Sequence, residues 1–355
     1  MTMNNFIETQ RFLDALRAKE IVFYCPGSLA VYAYEWLKQH GLGSNVSCCI
    51  VQNPAKSPSS RLGLQVNGPE ALKGPADQSV IIASGNCVQA ARILRGGGFR
   101  GAVYHYVNFY NKYFTATYSA IELEMARSLY NAADGVTSYI FDLIESSTRE
   151  GLSPFMSTQP DDLAHYPDYW EKVEPLSAPK LTIVDCGAYT GDSLTSLLDI
   201  YGGRIARYYA LEPDKDNYDQ LMATVRRLPA DNRITCYNIG LSDENGTFRF
   251  EAGGSGARLS PNGASLVSCR RLDDLPLEII GRLCLKMDIE GAEMPALLGA
   301  AEMIRTHRPE LAICLYHRKN DLWEVPRLLK ELVPEYDCVV RCGMHTECYA
   351  SVDLR

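Results

Sequence analysis

Two short stretches hold residue types whose spacing could do chemistry. In "IVDCGAYTGDSL", residues 183–194, an apolar run ends in Asp185 and is followed by Gly187 and Gly191. In "KMDIEGAE", residues 286–293, the acids Asp288, Glu290 and Glu293 crowd the end of a second apolar run. Two more polar residues close strand-like runs: Glu212 at the end of "RYYALE" and His317 at the end of "LAICLYH".

Glycines at a strand-to-helix bend let the backbone approach a ligand closely, and the helix N-terminus adds N–H donors. A dinucleotide turn would read G-x-G-x-x-G, with a tight glycine pair against the pyrophosphate. Here the pattern is Asp185-x-Gly187-x-x-x-Gly191, and an acid ahead of the turn repels a diphosphate. An acid in that place suits a ligand with an ammonium group. S-adenosylmethionine has one, and its ribose diol would donate to Glu212 at the end of the next strand. NAD would use the second acid as well, so the first turn alone separates the two.

Methyl transfer is an in-line displacement at an activated carbon, for which orientation and desolvation supply much of the rate. A base is needed only where the nucleophile is a neutral hydroxyl. Asp288 is the first candidate for aligning the acceptor and steadying the sulfonium; Glu290 shares its face if the chain is still extended there. Glu293 falls in a first helical turn, where an acid complements the dipole. His317 is the candidate proton acceptor at neutral pH, and Tyr316 alternates away from it. Three acids so close could also hold Mg²⁺, but no metal is assigned. Lys286 reads as packing or as pairing with an acid.

These residues need a scaffold, and the 355-residue chain is long enough for two domains. With 46% hydrophobic and 22% charged residues the composition is globular, and the net charge of −8 with no basic stripe argues against a nucleic-acid partner. The N-terminus lacks a signal-peptide pattern and no stretch has the length of a membrane span, so a cytoplasmic protein is expected. Cysteines inside apolar runs, Cys25, Cys186, Cys284 and Cys314, fit buried thiols of a reducing compartment. Cys342, His345 and Cys348 lack a fourth zinc ligand and read as ordinary strand residues.

A helix over about 5–18 leads into alternating strands and helices to about residue 110, which implies a small parallel α/β domain at 1–117. Gly27 and the Ser84-Gly85-Asn86 turn could touch a phosphate, though a packing role without ligand is favoured. Residues 118–179 read as a helical connector and linker. From 180 to 355 the alternation is stronger, with strands near 181–186, 206–212, 233–238, 282–288, 310–316, 336–341 and 347–353. Helices begin near Asp192, Asn217, Met294 and Leu322. Between the third and fourth strands a hairpin with a Gly/Ser-rich excursion is expected, with Asn245-Gly246 as its turn signal.

The segments "VDCGAYTGDS", "LEPDKDNYDQL", "LKMDIEGAEMPALLGA", "RPELAICLYHRKNDLWEVPRLL" and "ECYASVDL" resemble, in order and spacing, the FkbM-type methyltransferases over residues 181–353. The resemblance implies a class I methyltransferase fold, Rossmann-like and seven-stranded with the last strand antiparallel, preceded here by a smaller Rossmann-like α/β domain. It implies S-adenosylmethionine as cofactor, with Asp185, Gly187, Ala188, Tyr189, Thr190 and Gly191 around its methionine part. Glu212 would serve the ribose, and Gly240 and Asp243 the adenine. Many members have Asn where this chain has Tyr189. The implied reaction is O-methylation of a sugar, glycan or secondary-metabolite hydroxyl, with Asp288, His317 and Glu290 as catalytic residues. An NAD-dependent oxidoreductase and a non-catalytic binding module are the alternatives, and oligomeric state is left open.

Overall fold

The protein is described here by a computed structural model covering residues 6–24, 26, 30–74, 77–83, 87–106, 118–147, 152–157, 178–229, 232–252, 256–342 and 346–353. The chain divides into two compact units. The first takes Met1–Ala120, Ser138–Ala164 and Cys342–His345; the second takes Ile121–Thr137, His165–Arg341 and Thr346–Arg355.

The first unit contains β1 (Phe6–Glu8), α1 (Thr9–Arg17), β2 (Glu20–Tyr24), α2 (Ala30–Gln39), β3 (Val46–Ile50), β4 (Ser60–Arg61) and β5 (Leu64–Asn67). It continues with β6 (Gln78–Ile82), α3 (Cys87–Gly96) and β7 (Val103–Tyr106). After α4 (Ala120–Arg127) and α5 (Gly135–Ser147), β8 (Leu152–Ser157) completes an eight-stranded sheet of order β1-β8-β7-β6-β2-β3-β5-β4. Its middle is parallel, while β1 and β4 at the edges and β8 pair antiparallel. Ile21 and Phe23 face one core cluster and Val22 and Tyr24 another, as the two-residue period of a strand covered on both faces requires.

Three features of this unit differ from the sequence expectation. Residues 6–8 leave the first helix to pair with β8. A strand also falls within the stretch read as connector and linker, where Pro154 in its middle demotes that run in any strand reading. The sheet is therefore mixed rather than parallel throughout. Gly27 and Ser84-Gly85-Asn86 lie outside the described residues, as do Cys25 and His345.

The second unit holds β9 (Leu181–Cys186), α6 (Asp192–Tyr201), β10 (Ile205–Leu211), α7 (Lys215–Arg227) and β11 (Ile234–Tyr237). Next come the short strands β12 (Gly240–Leu241), β13 (Gly246–Glu251), β14 (Arg258–Leu259) and β15 (Ser265–Arg270). The chain ends with β16 (Arg282–Met287), α8 (Glu293–Leu298), α9 (Ala301–His307), β17 (Glu310–Cys314), α10 (Asp321–Leu332), β18 (Asp337–Cys342) and β19 (Thr346–Ser351). Seven of these strands form a sheet of order β11-β10-β9-β16-β17-β19-β18, with β19 antiparallel to β17. Every residue of β9 is buried, as in a central strand with helices on both faces.

The strands on either side of β9 are reached by connections running in opposite directions, so the crevice beyond the carboxyl ends of β9 and β16 is the topological switch point. Helix α7 starts at Lys215, ahead of the expected Asn217, because Asp214 caps it by accepting the N–H groups of Asp216 and Asn217. The expected hairpin is the antiparallel pair β13 and β15, and β12 and β14 extend it to a four-stranded sheet. At the outer margin of the large sheet, Asn131 N–H donates to the Cys338 carbonyl at 2.8 Å and Val340 N–H to Thr137 Oγ1 at 3.0 Å. Asp134 pairs with Arg341 beside them at 2.8 Å. Residues 121–137 thus bond to main-chain groups of β18 and brace its end.

Candidate active site

The first turn is shaped by backbone constraints at both glycines. Gly187 has φ +81°, and a Cβ there would come within 1.9 Å of the Asp288 carbonyl oxygen. The loops after β9 and β16 are therefore pressed together at that point, with Asp288 N–H donating to the Cys186 carbonyl at 3.0 Å. Gly191, at φ +89°, is the N-cap of α6; a Cβ there would meet Leu221 and Thr224 of α7 at 3.1 and 3.2 Å. Between them Tyr189 has φ 48°, a left-handed conformation that Asn tolerates better than Tyr. Ala188 is buried in the core and the Thr190 carbonyl accepts from Thr224 Oγ1 at 2.8 Å.

Asp185 has partners within the chain. It is fully buried, its Oδ2 accepts from the Tyr208 hydroxyl at 2.7 Å, and its Oδ1 lies 3.0 Å from Lys286 Nζ. The ammonium group that this acid faces belongs to the chain itself. Burial opposes the charge on Lys286, but Asp185, with Asp288 behind it, outweighs that and holds the lysine protonated. Lys286 Nζ also donates to the Gly187 carbonyl at 2.9 Å, so the pair fixes the turn from beneath. The reading of Lys286 as an acid's partner is the arrangement found.

Glu212 sits where β10 ends. One carboxylate oxygen accepts the Tyr189 N–H at 3.0 Å and the other the Asp214 N–H at 2.9 Å. Burial pushes its pKa up to about 7 against those hydrogen bonds. The turn and this acid are thus one connected unit. Gly240 and Asp243 lie in the segment that follows β11. Gly240 is in β12, where a Cβ would strike Cys269 Sγ at 2.7 Å, and Asp243 is exposed and accepts from Ser242 Oγ at 3.0 Å. Close packing against β15 accounts for that glycine.

Across the switch point, Asp288, Glu290, Glu293 and His317 converge. His317 is buried; its Nδ1 lies 2.8 Å from Glu293 Oε1, while Nε2 is 3.4 Å from Glu290 Oε2 and 3.6 Å from Asp288 Oδ1. Burial alone would lower the imidazole pKa, but Glu293, then Glu290 and Asp288, lift it to about 11. In this arrangement the three carboxylates favour the protonated ring. The buried Glu293 also accepts the Ile289 N–H at 3.1 Å, so it orients the histidine in addition to complementing the helix dipole.

Strand β16 ends at Met287, and Glu290 has φ 54°, so Asp288 and Glu290 meet His317 through a tight turn rather than along an extended face. A non-glycine residue held there stores strain of the kind found at functional sites. Tyr316 also enters the cluster: its hydroxyl donates to Asp288 Oδ1 at 2.8 Å, because β17 ends at Cys314 and strand alternation no longer governs it. Asp321, which no local pattern singles out, lies behind the histidine. Burial and Glu293 push it up to about 7.

The other described features bear on class. Cys186, Cys284 and Cys314 are buried. No helix among the described residues is long and apolar enough to cross a membrane.

Comparison with known proteins agrees with this architecture. Residues 185–338 match the methyltransferase FkbM domain family. The solved structure of the methyltransferase FkbM from Methylobacillus flagellatus KT is 21% identical, with a TM-score of 0.51 over 98% of this chain and 94% of that one. A candidate rRNA-methylase from Clostridium thermocellum, 10% identical, covers 52% of this chain and 92% of its own at a TM-score of 0.36. A candidate methyltransferase from Streptococcus mutans, solved in complex with SAH, is 13% identical over 52% and 94%, at 0.33. No curated protein matches the chain by sequence. The chain carries an FkbM methyltransferase domain and is a methyltransferase.

Proposed function

We propose that the protein is a class I, S-adenosylmethionine-dependent O-methyltransferase acting on a hydroxyl of a sugar, a glycan or a secondary-metabolite precursor in the cytoplasm. The observation that carries this reading is the contact of Gly187 with the Asp288 carbonyl. It sets the glycine turn and Glu212 beside the Asp288, Glu290 and His317 cluster, at the crevice where open α/β sheets bind ligands.

In this reading Glu212 accepts the ribose hydroxyls, since its fixed carboxylate has lone pairs beyond the two taken by backbone N–H groups. The left-handed turn from Gly187 to Gly191 follows the methionine part, held from below by Lys286 and Asp185. Gly240 and Asp243 remain the assignment for the adenine side. The bound donor supplies an electrophilic methyl carbon on a positively charged sulfur. A hydroxyl that took up the methyl group would give up its proton, and the chain's own residues must receive it. Asp288 and Glu290 orient the hydroxyl and receive its proton, while His317, held by Glu293, keeps the two carboxylates in place.

Incubation of the protein with isotopically labelled S-adenosylmethionine and cell extract, followed by mass spectrometry, tests the reading. Label transferred to a small carbohydrate-containing molecule supports it. Calorimetry that gives saturable binding of NAD and none of S-adenosylmethionine would overturn it.

A further inference from the structure

The cluster around His317 has the donor set of a metal centre, and the methyl-transfer reading does not account for all of it. Asp288, Glu293 and His317 each bring one ligand-type atom within 4.8 Å of the others. His317 Nε2 is buried and has no hydrogen-bond partner. Its side chain is 4% exposed, so water does not satisfy that nitrogen from bulk. Two carboxylates face it at 3.4 and 3.6 Å, beyond a good N–H···O hydrogen bond. Separations of about 3.4–3.6 Å between donor atoms are those set by two ligands, each about 2.1 Å from one cation, at angles of roughly 105–120°.

We propose that His317 Nε2, Asp288 and Glu290 hold a divalent first-row cation, with Glu293 as the outer partner that fixes the histidine ring. One imidazole with carboxylates suits Mn²⁺ or Zn²⁺ better than the all-oxygen cations. Glu293 hydrogen-bonded to Nδ1 is the carboxylate–histidine pairing that orients metal-ligating imidazoles, and its Oε1 is also anchored by the Ile289 N–H. Tyr316 plays the equivalent part for Asp288 through its 2.8 Å hydrogen bond. Glu290, the most exposed of the inner set at 28%, stands at the solvent side, and its strained left-handed backbone turns the side chain toward the histidine.

The cation would supply the positive charge that the carboxylates around Nε2 face. Its use rests on the O-methylation reading: a hydroxyl that reaches an open coordination position ionises more readily, and its proton leaves to water past Glu290. Nε2 is then a ligand and not a base. The cation site itself does not depend on which reaction the protein performs.

The test uses the full chain, stripped of metal with a chelator and then titrated with Mn²⁺ while the electron paramagnetic resonance signal of the free ion is followed. One saturable site is expected, displaced by Zn²⁺. Glu290→Gln and His317→Gln should each weaken it by about tenfold or more. Glu290→Gln, at a partly exposed position, keeps the melting transition of the parent and so separates ligand loss from misfolding. Mn²⁺ and Zn²⁺ binding that is no tighter to the parent than to Glu290→Gln overturns the proposal. S-adenosylmethionine binding to the same metal-free protein is measured in parallel by calorimetry. A chain that binds Mn²⁺ but no donor keeps the cation site and removes the methyl-transfer reading, and a chain that binds the donor but no cation does the reverse.

Discussion

Lys286 Nζ stands 3.0 Å from Asp185 Oδ1 and 2.9 Å from the Gly187 carbonyl, joining two central strands to the turn between β9 and α6. Both side chains are almost wholly buried. Removing one partner of such a pair leaves a charge without compensation. Lys286→Met should therefore destabilise the protein by about 3–5 kcal/mol, while Asp185→Asn combined with Lys286→Met recovers most of that loss. Urea unfolding of the four-member cycle measures it. Costs that simply add would show that the pair is not coupled.

Glu212 gives a pH dependence whose direction follows from its surroundings. Burial raises its folded pKa to about 7, above the ordinary carboxylate value. Its contribution to stability is thus complete below that ordinary value and is lost as pH rises through about 7. Ribose hydroxyls donate to the charged form, so donor affinity should climb between about pH 6 and pH 8 and binding should release a proton near neutrality. Glu212→Gln should bind about tenfold more weakly, and its affinity should not show this rise. Calorimetry in buffers of different ionisation enthalpy reads both effects.

Gly187→Ala combines a positive φ with a Cβ placed 1.9 Å from a backbone oxygen that has no flexible end to move. The cost should be several kcal/mol, on the order of 3 or more, and donor binding should be lost with it. Gly191→Ala meets side-chain carbons at 3.1 and 3.2 Å instead, and should be the milder of the two. Thermal melts of the two variants rank them.

Glu293→Gln keeps an acceptor for the Ile289 N–H but removes the charge that orients His317. Turnover should fall by about 10² or more with donor affinity nearly unchanged. An equal loss in donor binding would assign Glu293 to the fold alone. Steady-state rates with the labelled donor, set beside calorimetric affinities, distinguish the two.

Strands β9, β10, β16 and β17 were legible because buried parallel strands write near-continuous apolar runs, and helix starts were legible from caps such as Asp214. The proximity of Asp288, Glu290 and His317 was also readable, since strand ends of one sheet share an edge. The partner of Asp185 was not. Lys286 and Asp185 are adjacent only through the register of β9 against β16, which pairs these two residues. Local pattern carries no register between strands so far apart in sequence. Tyr316 was misjudged for a related reason, since alternation ceases where a strand ends, and that end is fixed by hydrogen bonding rather than composition. In the first unit β8 was hidden by its proline.

The bracing of β18 by Asn131, Asp134 and Thr137 has a consequence for how the second unit would behave if isolated. A fragment beginning near residue 180, just ahead of β9, would lack the guard for its outermost strand. Naked amides on that rim would recruit neighbouring polypeptides, so such a fragment should clump, whereas one that keeps the guard should stay dispersed.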